Sequence, residues 1–475
     1  MPCETVIVIG GGLAGLSAAT ALADAGVRVQ LLEKRPYLGG RATSYALPDG
    51  SHIDNCQHVT LGCCTNLADF YKRAGAESKI RHYDHLFFAD KTGHVSSIYS
   101  SLLPSPFHMG ISFLRFNALA YRDKRAIAEG MLRIARAGGK PADSDGATML
   151  EWLHRNEQTE AAIARFWRVV LVSALNEELD RTDARYGIDV FWKAFLANRR
   201  GYVVGIPSVP LGELYSGCRQ AVENRGGEVR TRATVRGIQF ADGAFRSLLL
   251  DDGTEMRADA CIAAVPHDVL LEILPEEMRE QQAFANLRKL RTAPITGVHL
   301  WYDRKVLDKP FLTLLDHTVQ WIFNKSIFNK SVTNGALKSA GNESGQYLQL
   351  VISASYELVA RTRQEIIDLC VKEVQEVLPL ARDAQLRKAT VVKEVHATFS
   401  PEVGSDAWRP TQETGIPGFF LAGDWTRTGW PATMEGAVRS GYLAAEALLS
   451  FAGTPRKFTV ADLPVEGFCQ RWVKE

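Results

Sequence analysis

From Thr5 to Glu33 the chain alternates between apolar runs and a helical pattern, in the order expected of a β–α–β unit. The β-branched run TVIVI at residues 5–9 predicts a buried strand. Small and apolar residues then follow a helical period from residue 13 until Gly26, a residue typical of helix ends. A second apolar run, VRVQLLE, predicts another strand that ends at Glu33.

Three glycines, Gly10, Gly12 and Gly15, occupy the turn between the first predicted strand and the helix. In a G-x-G-x-x-G spacing the first glycine permits a tight turn, the second lets a pyrophosphate approach the backbone, and the third lets the helix pack closely. Glu33 stands at the end of the second predicted strand, where a carboxylate can accept hydrogen bonds from a ribose. The pattern therefore predicts a dinucleotide site, and the acid favours FAD or NAD over NADP.

Composition narrows the class of protein without identifying it. The 475 residues are 46% hydrophobic and 23% charged, with a formal net charge of +1, which is ordinary for a globular protein and excludes wholesale disorder. Because basic and acidic residues are nearly equal in number, the composition does not indicate a nucleic-acid-binding protein. Eight cysteines without a C-x-x-C pair predict neither a disulfide scaffold nor a metal site, and favour a reduced, cytoplasmic setting.

An apolar segment at residues 96–120 is followed by a basic one at residues 115–140. Pro104 and Pro106 argue against a spanning helix there, and the chain contains no uncharged apolar run of the length that a spanning helix needs. Glu4 and the early glycines argue against a secretory signal peptide. Two interpretations stay open: docking on an anionic membrane surface, or a buried helix with a solvated charged flank.

Two further motifs resemble those of the amine oxidase and phytoene desaturase superfamily of flavoproteins. KRPYLGGR, which contains Gly39, Gly40 and Arg41, follows the second predicted strand, and GFFLAGD ends at Gly423 and Asp424 near the C-terminus. The resemblance implies FAD as the cofactor, without a metal. The expected cofactor-binding residues are Gly10, Gly12, Leu13, Ala14, Gly15, Glu33, Lys34, Gly40, Arg41, Val235, Gly423, Asp424, Thr433, Met434 and Ala437.

The separation of these motifs implies domains built from distant segments. We expect an α/β fold, with a Rossmann-type FAD-binding domain assembled from residues 1–75, 206–266 and 391–450. A mixed α+β substrate domain would comprise residues 76–205 and 267–390, with a helical, membrane-facing insertion near 105–200. Residues 451–475 form a short tail without a clear motif.

A narrower resemblance, covering nearly the whole chain, is to the hydroxysqualene dehydroxylases of bacterial hopanoid biosynthesis. It is carried by GDWTRTGWPATMEGAVRSG at 423–441 and DNCQHVTLGCCTNL at 54–67. It implies reduction of a hydrophobic C30 isoprenoid, hydroxysqualene, to squalene by hydride from reduced FAD. It also implies an upstream hydroxysqualene-forming synthase, an external flavin reductant and a place in the cytoplasm or on the inner face of the cell membrane.

Two departures from that pattern are Cys56, where glycine or another small residue is expected, and the tandem repeat IFNKS at 322–326 and 327–331. The repeat fits best in a hairpin loop, since five extra residues within a strand would reverse its faces.

Loss of an allylic hydroxyl requires protonation or a strong hydrogen bond. His58 and Gln57 are the candidate groups for this, and a structural hydrogen bond is the alternative role of His58. Trp425 and Trp430 either line the flavin cavity or simply pack.

Two other functions are retained. One is a phytoene-type isoprenoid desaturase or an amine oxidase that uses oxidised FAD. An amine oxidase would usually show a lysine-held water near the flavin and an aromatic cage, and neither is apparent from the sequence. The other is a non-catalytic flavin-binding protein.

Overall fold

The protein is described by a computed structural model that covers residues 3–328 and 345–473. A five-stranded parallel sheet forms one half of it. The strand order is Glu228–Thr231, Arg28–Glu33, Thr5–Ile9, Ala260–Ala263 and Phe419–Leu421. This sheet confirms the α/β, Rossmann-type prediction.

Side chains of this sheet alternate between two buried faces, as the period of two in a strand requires. Val6 and Val8 face one core, together with the helices Leu13–Asp24, Ser216–Glu223 and Met434–Phe451. Ile7 and Ile9 face the other core. An antiparallel three-stranded sheet covers that second face, with the strands Val235–Ala241, Ala244–Leu250 and Glu255–Arg257.

A seven-stranded mixed sheet forms the second half. Its strand order is Leu386–Phe399, Thr292–Tyr302, Gln346–Ser353, Trp321–Asn324, Phe311–Leu314, His85–Ala89 and Val95–Tyr99. The helix Arg363–Val377 covers one face and begins with a reciprocal cap between Thr362 and Glu365. The opposite face, which we call the inner face, is turned toward the first half and a helical layer.

The helical layer occupies the region where the sequence predicts a helical insertion. Its helices are Gly110–Leu114, Tyr121–Arg136, Met149–Arg155, Glu160–Ala162, Arg168–Leu175 and Ala184–Phe191. Two single π-helical turns lie at Ile163–Trp167 and Trp192–Leu196. Within residues 3–328 and 345–473, no helix is both long and apolar enough to cross a membrane.

Short elements connect the two halves. The strands are Ser44–Ala46 with His52–Asp54, and Thr60–Leu61 with Val204–Pro207 and Ile80–Tyr83. The remaining α-helices in the described part of the chain are Thr65–Arg73, His267–Ile273, Lys325–Phe328 and Tyr356–Val359. The strand Leu386–Phe399 pairs with Thr292–Tyr302 on both sides of residue 391, so the inner-face sheet extends across the predicted domain boundary at that residue.

The helices Leu13–Asp24 and Met434–Phe451 pack closely along one another, and Gly441 lies at a point of very close approach. A Cβ placed on Gly441 would lie 2.2 Å from the carbonyl oxygen of Ala14 and 2.1 Å from Oγ of Ser17. The backbones therefore approach as closely as they do only because residue 441 has no side chain. This contact joins two distant parts of the chain, because the first helix begins just after Gly12 and the last begins just after Thr433.

We predict that Gly441→Ala separates the two helices, lowering stability by about 1–3 kcal/mol and weakening FAD retention. Gly110→Ala is the matched control, because a Cβ there meets nothing within 4 Å and the backbone is already helical. Thermal unfolding and flavin content of the purified variants measure both effects. Equal melting temperatures for the two variants would contradict the proposed constraint.

Candidate functional site

The glycine turn after the first strand is built as its spacing predicts. Gly10 has φ +103°, and a Cβ on Gly15 would lie 1.9 Å from the Gly10 carbonyl oxygen. Gly12 and Gly40 face each other, since a Cβ on Gly40 would lie 3.0 Å from the Gly12 Cα. The two opposed glycines leave a groove that side chains would fill, which fits a pyrophosphate resting on backbone. Leu13 and Ala14 begin the helix beside this groove.

Glu33 ends the second strand with its carboxylate held by backbone. Its Oε2 accepts a hydrogen bond from the N–H of Gly11 at 2.7 Å, and its Oε1 accepts one from the N–H of Arg35 at 2.7 Å. Each oxygen keeps a second lone pair for a ribose hydroxyl. Lys34 is exposed. The N–H of Ala233, two residues before the strand that begins at Val235, donates to the carbonyl of Glu33 at 2.9 Å.

The Gly-Gly-Arg motif at residues 39–41 and the Gly-Asp motif at residues 423–424 meet through an ion pair. Nη2 of Arg41 donates to Oδ1 of Asp424 at 2.7 Å, while Nη1 of Arg41 donates to the carbonyl of Ala397 at 2.5 Å. The N–H of Gly423 donates to Oγ of Ser440 in the last helix at 2.8 Å. The structure thus brings the Gly-Gly-Arg and Gly-Asp motifs into direct contact.

The last helix points its N-terminus toward these motifs. Oγ1 of Thr433 accepts the N–H of Gly436 at 3.1 Å, and the helix begins at Met434. Ala437 lies in the first turn and its N–H donates to the carbonyl of Thr433 at 2.9 Å. The helix dipole at this end favours a polar acceptor. Together with the glycine groove and Glu33, this end fits the phosphates, ribose and flavin edge of FAD.

The end of the hairpin formed by Ser44–Ala46 and His52–Asp54 carries one member of a buried ion pair. Nζ of Lys325 donates to Oδ2 of Asp54 at 2.7 Å and to Oε1 of Gln57 at 2.8 Å. The other carboxylate oxygen, Oδ1, accepts from Oγ of Ser44 at 2.7 Å and from the N–H of Leu211 at 3.1 Å. The Lys325 and Asp54 side chains are only 2% and 3% exposed.

Electrostatics keeps the Asp54 carboxylate charged. Burial raises the pKa of Asp54, but the charge and hydrogen bond of Lys325, with the bonds from Ser44 and Leu211, outweigh burial and hold that pKa below its usual range. Burying two charges costs free energy unless geometry and extra hydrogen bonds offset it. The cluster Asp54, Gln57 and Lys325, called here the polar cluster, has both.

The ring of His58 faces the backbone two residues earlier in the chain. Its Nδ1 lies 2.9 Å from the carbonyl oxygen of Cys56, and burial lowers the pKa of the ring. A neutral ring whose Nδ1–H donates to that carbonyl leaves Nε2 as an acceptor. This arrangement matches the structural role of His58, and its role as an acid stays a prediction.

Cys56 packs against another small residue. A Cβ on Gly297 would lie 3.6 Å from Sγ of Cys56, so the thiol occupies space that Gly297 leaves. Burial raises the pKa of the Cys56 thiol to about 12, which keeps it neutral. A cysteine instead of the expected glycine at residue 56 is therefore accommodated by Gly297 in the strand Thr292–Tyr302.

The inner face of the seven-stranded sheet surrounds the polar cluster with aromatic residues. Trp301 and Tyr347 stack with ring centroids 4.5 Å apart, and Trp321 and Phe323 stack at 5.6 Å. Lys325 follows Trp321 and Phe323 at the same two-residue spacing, although the strand itself ends at Asn324. The wall around the polar cluster is thus mostly apolar.

Two buried polar residues also lie opposite each other on this face, His299 and Gln349. Nδ1 of His299 lies 2.6 Å from the hydroxyl of Tyr347, and Nε2 of Gln349 lies 3.5 Å from the carbonyl of Asp54. His299 Nε2 and Gln349 Oε1 have no partner among the described residues. Burial lowers the pKa of His299 to about 3, so its ring is neutral.

Sequence reasoning missed Lys325, His299 and Gln349. The sequence does contain a pattern that could have identified Lys325. It follows Trp321 and Phe323 at the same two-residue spacing, so a charged residue stands where the strand pattern predicts the aromatic face. The first IFNKS copy lies in this strand and the short helix Lys325–Phe328, whereas residues 329–331 of the second copy lie outside the described residues, so the hairpin-loop prediction is not tested. Trp425 and Trp430 are both buried, and Nε1 of Trp425 donates to the carbonyl of Val265 at 2.9 Å.

A family profile matches most of the chain. The profile of flavin containing amine oxidoreductases matches residues 13–449. The chain belongs to this family. As a member of the flavin containing amine oxidoreductases, it is an FAD-dependent oxidoreductase, in agreement with the groove described above.

Similar proteins include two carotenoid desaturases. The 15-cis-phytoene desaturase of Solanum lycopersicum is 30% identical over 94% of this chain and 77% of its own length. The zeta-carotene desaturase of Synechocystis sp. is 29% identical over 94% of this chain and 97% of its own length. The oxidoreductase is therefore of the phytoene and zeta-carotene desaturase type.

Solved structures support the fold. An oxidoreductase from Methanosarcina mazei gives a TM-score of 0.71 at 17% identity, covering 94% of this chain and 100% of that one. Cyclohexylamine oxidase from Brevibacterium oxydans gives 0.65 at 18% identity, covering 95% and 99%.

We predict that Lys325→Met lowers the free energy of unfolding by about 3–5 kcal/mol, because it leaves the Asp54 carboxylate buried without its cation. Adding Asp54→Asn restores part of that loss, since the remaining groups are neutral. Because the folded-state pKa of Asp54 is lowered, its contribution is present at neutral pH and lost as the pH falls through that lowered value, so the gap between wild type and Lys325→Met narrows in acid.

Urea unfolding of each variant measures these differences, with exposed Lys309→Met as the control. Additive losses in the double variant would show that the two side chains do not stabilise each other.

Proposed function

We propose that this oxidoreductase removes an allylic hydroxyl group from hydroxysqualene reductively, forming squalene and water. The observation that carries the proposal is the polar cluster, a buried cation beside a wall that is mostly aromatic and apolar. A substrate that is hydrocarbon except for one oxygen fits such a surface. Sequence similarity at 54–67 and 423–441 supports the same substrate.

The reaction requires a hydride and a proton. Bound reduced FAD would supply the hydride to the substrate carbon. The chain must assist the departing oxygen, because hydroxide is a poor leaving group without protonation or a strong hydrogen bond. The Lys325 ammonium has three donors, of which Asp54 and Gln57 account for two, and the third is suited to the leaving oxygen.

Asp54 and Gln57 position this ammonium. Both accept from Nζ, and Asp54 compensates its charge in a site from which water is largely excluded. Gln57 is a candidate from the sequence, and its proposed part is to orient Lys325. Lys325 replaces His58 as the preferred proton donor because burial keeps the His58 ring neutral.

A second candidate is desaturation of a long polyene with oxidised FAD. The similarity to phytoene and zeta-carotene desaturases favours this direction more than it favours dehydroxylation. The apolar inner face would suit either substrate, so the direction of hydride transfer separates them.

The proposed reaction implies partners and a place in the cell. A synthase that forms hydroxysqualene would supply the substrate, and a separate reductase would reduce the FAD. Both substrate and product are membrane-soluble, which favours a location on the inner face of the cell membrane.

An anaerobic single turnover tests the function. Photoreduced holoenzyme is mixed with hydroxysqualene in detergent, and the oxidised-flavin absorbance is followed together with extracted products. We predict flavin reoxidation with stoichiometric squalene. Lys325→Met should slow this step by about 10²–10⁴-fold with FAD still bound, whereas Lys309→Met should not. Absence of reoxidation, with phytoene reducing the oxidised flavin instead, would establish the second candidate.

A further inference from the structure

A buried arginine lies beside the second cofactor motif. Arg409 comes directly after the short 3-10 turn Ser405–Trp408, and its side chain is 0% exposed. Removing a permanently charged guanidinium from water costs free energy, which a paired charge or hydrogen bonds must offset. Oδ1 of Asp406 lies 3.1 Å from Nη1 of Arg409, but the Asp406 side chain is itself 39% exposed. Hydrogen bonds must therefore supply part of the compensation.

One nitrogen of this guanidinium binds backbone carbonyls at three points. Nη2 donates to the carbonyl oxygen of Asp424 at 3.2 Å, of Thr426 at 2.5 Å and of Trp430 at 2.8 Å. The three carbonyls lie in the stretch that leads from the second cofactor motif to the last helix, residues 424–430, called here the cofactor turn. The cofactor turn is thus folded around the side chain of Arg409.

Asp424, an expected cofactor-binding residue, is held from two sides by two arginines. Its carboxylate pairs with Nη2 of Arg41 at 2.7 Å, and its carbonyl accepts from Arg409. Thr426, which also bonds Arg409 through its carbonyl, accepts from Nε2 of Gln412 at 2.9 Å through Oγ1. Both the side chain and the backbone of Asp424 are therefore fixed by groups from other segments.

The opposite edge of the guanidinium contacts the second half of the molecule. Nη1 of Arg409 donates to the hydroxyl of Tyr186 at 2.6 Å, in the helix Ala184–Phe191 of the helical layer. The Tyr186 hydroxyl in turn donates to Oδ1 of Asp406 at 3.0 Å. The guanidinium also lies 4.8 Å from the ring centroid of Phe399, the last residue of the long edge strand. Arg409 thus joins the helical layer and the seven-stranded sheet to the cofactor turn.

We propose that Arg409 is a positioning residue for FAD, which holds the backbone of the cofactor turn so that Asp424 keeps the place its pairing with Arg41 requires. Arginine suits this task because its planar fork donates to several acceptors at once and its charge is permanent. A purely structural arginine, joining the helical layer to the sheet, would change stability but not the FAD affinity of the folded protein. The proposal concerns cofactor binding, so it does not rest on the proposed reaction.

The dissociation constant of FAD, measured by flavin fluorescence on dilution of the holoenzyme, tests the proposal. Arg409→Gln should raise it about tenfold or more, because the charged donor shared by three carbonyls is lost. Arg409→Lys, which keeps the charge, should recover part of that loss. Arg181→Met is the matched control, because Arg181 pairs with Glu402 at 2.6 Å in the same contact between the helical layer and residues 400–409. It should lower the melting temperature and leave FAD affinity as in wild type.

A double-mutant cycle shows whether Arg409 acts through Asp424. Arg409→Gln should weaken FAD binding much less in an Asp424→Asn background than in wild type. Equal losses in the two backgrounds, or an Arg409→Gln variant that binds FAD as wild type does, would overturn the proposal. If Arg409→Gln does not fold, the same cycle is run with Arg409→Lys, and additive losses there overturn it equally. Affinity is read without turnover, so this outcome and that of the proposed reaction are distinguishable.

Discussion

The approach of the first and last helices is the contact on which the cofactor half of the molecule depends. Gly441 lets the last helix rest on Ala14 and Ser17, and this brings residues from both ends of the chain to one groove. The ion pair of Arg41 with Asp424 joins two further segments that are distant in the sequence. We therefore expect FAD binding to depend on the assembled domain, since the glycine turn is only one of the predicted cofactor-binding segments.

The second half supplies what the cofactor half lacks, a large apolar surface with one charged spot. Aromatic side chains of the inner face would hold a hydrocarbon, and Lys325 with Asp54 places a charge pair where desolvation makes it costly. Replacing such a pair by apolar residues is often neutral for stability. The proposed role of Lys325 in the reaction would account for its presence beside the segment that carries Gln57 and His58.

The N-terminal unit is predictable because local rules determine it. The strand Thr5–Ile9, the turn and the second strand through Glu33 follow from side-chain period and glycine geometry within one short stretch of chain. The polar cluster is not predictable in the same way, since Lys325 and Asp54 are 271 positions apart in the sequence and only the folded sheet brings them together.

Other differences between sequence and structure have equally physical causes. The ordinary pKa of histidine suggests an acid role for His58, whereas burial in the folded chain, where the ring bonds to its own backbone, lowers that pKa. Residues 451–475 carry no motif, yet the ring of Phe468 packs against that of Phe107, with centroids 5.8 Å apart. Side-chain periodicity anticipates elements well, whereas burial and long-range partners decide what individual titratable groups do.

The most direct test of the assembled groove is a double-mutant cycle on FAD affinity. The dissociation constant of FAD would be measured by fluorescence for wild type, Arg41→Ala, Asp424→Asn and the double variant. If both chain ends form one groove, each single change weakens FAD binding about tenfold or more and the double variant is little worse than the weaker single. Fully additive losses, or affinities unchanged by either substitution, would contradict that account.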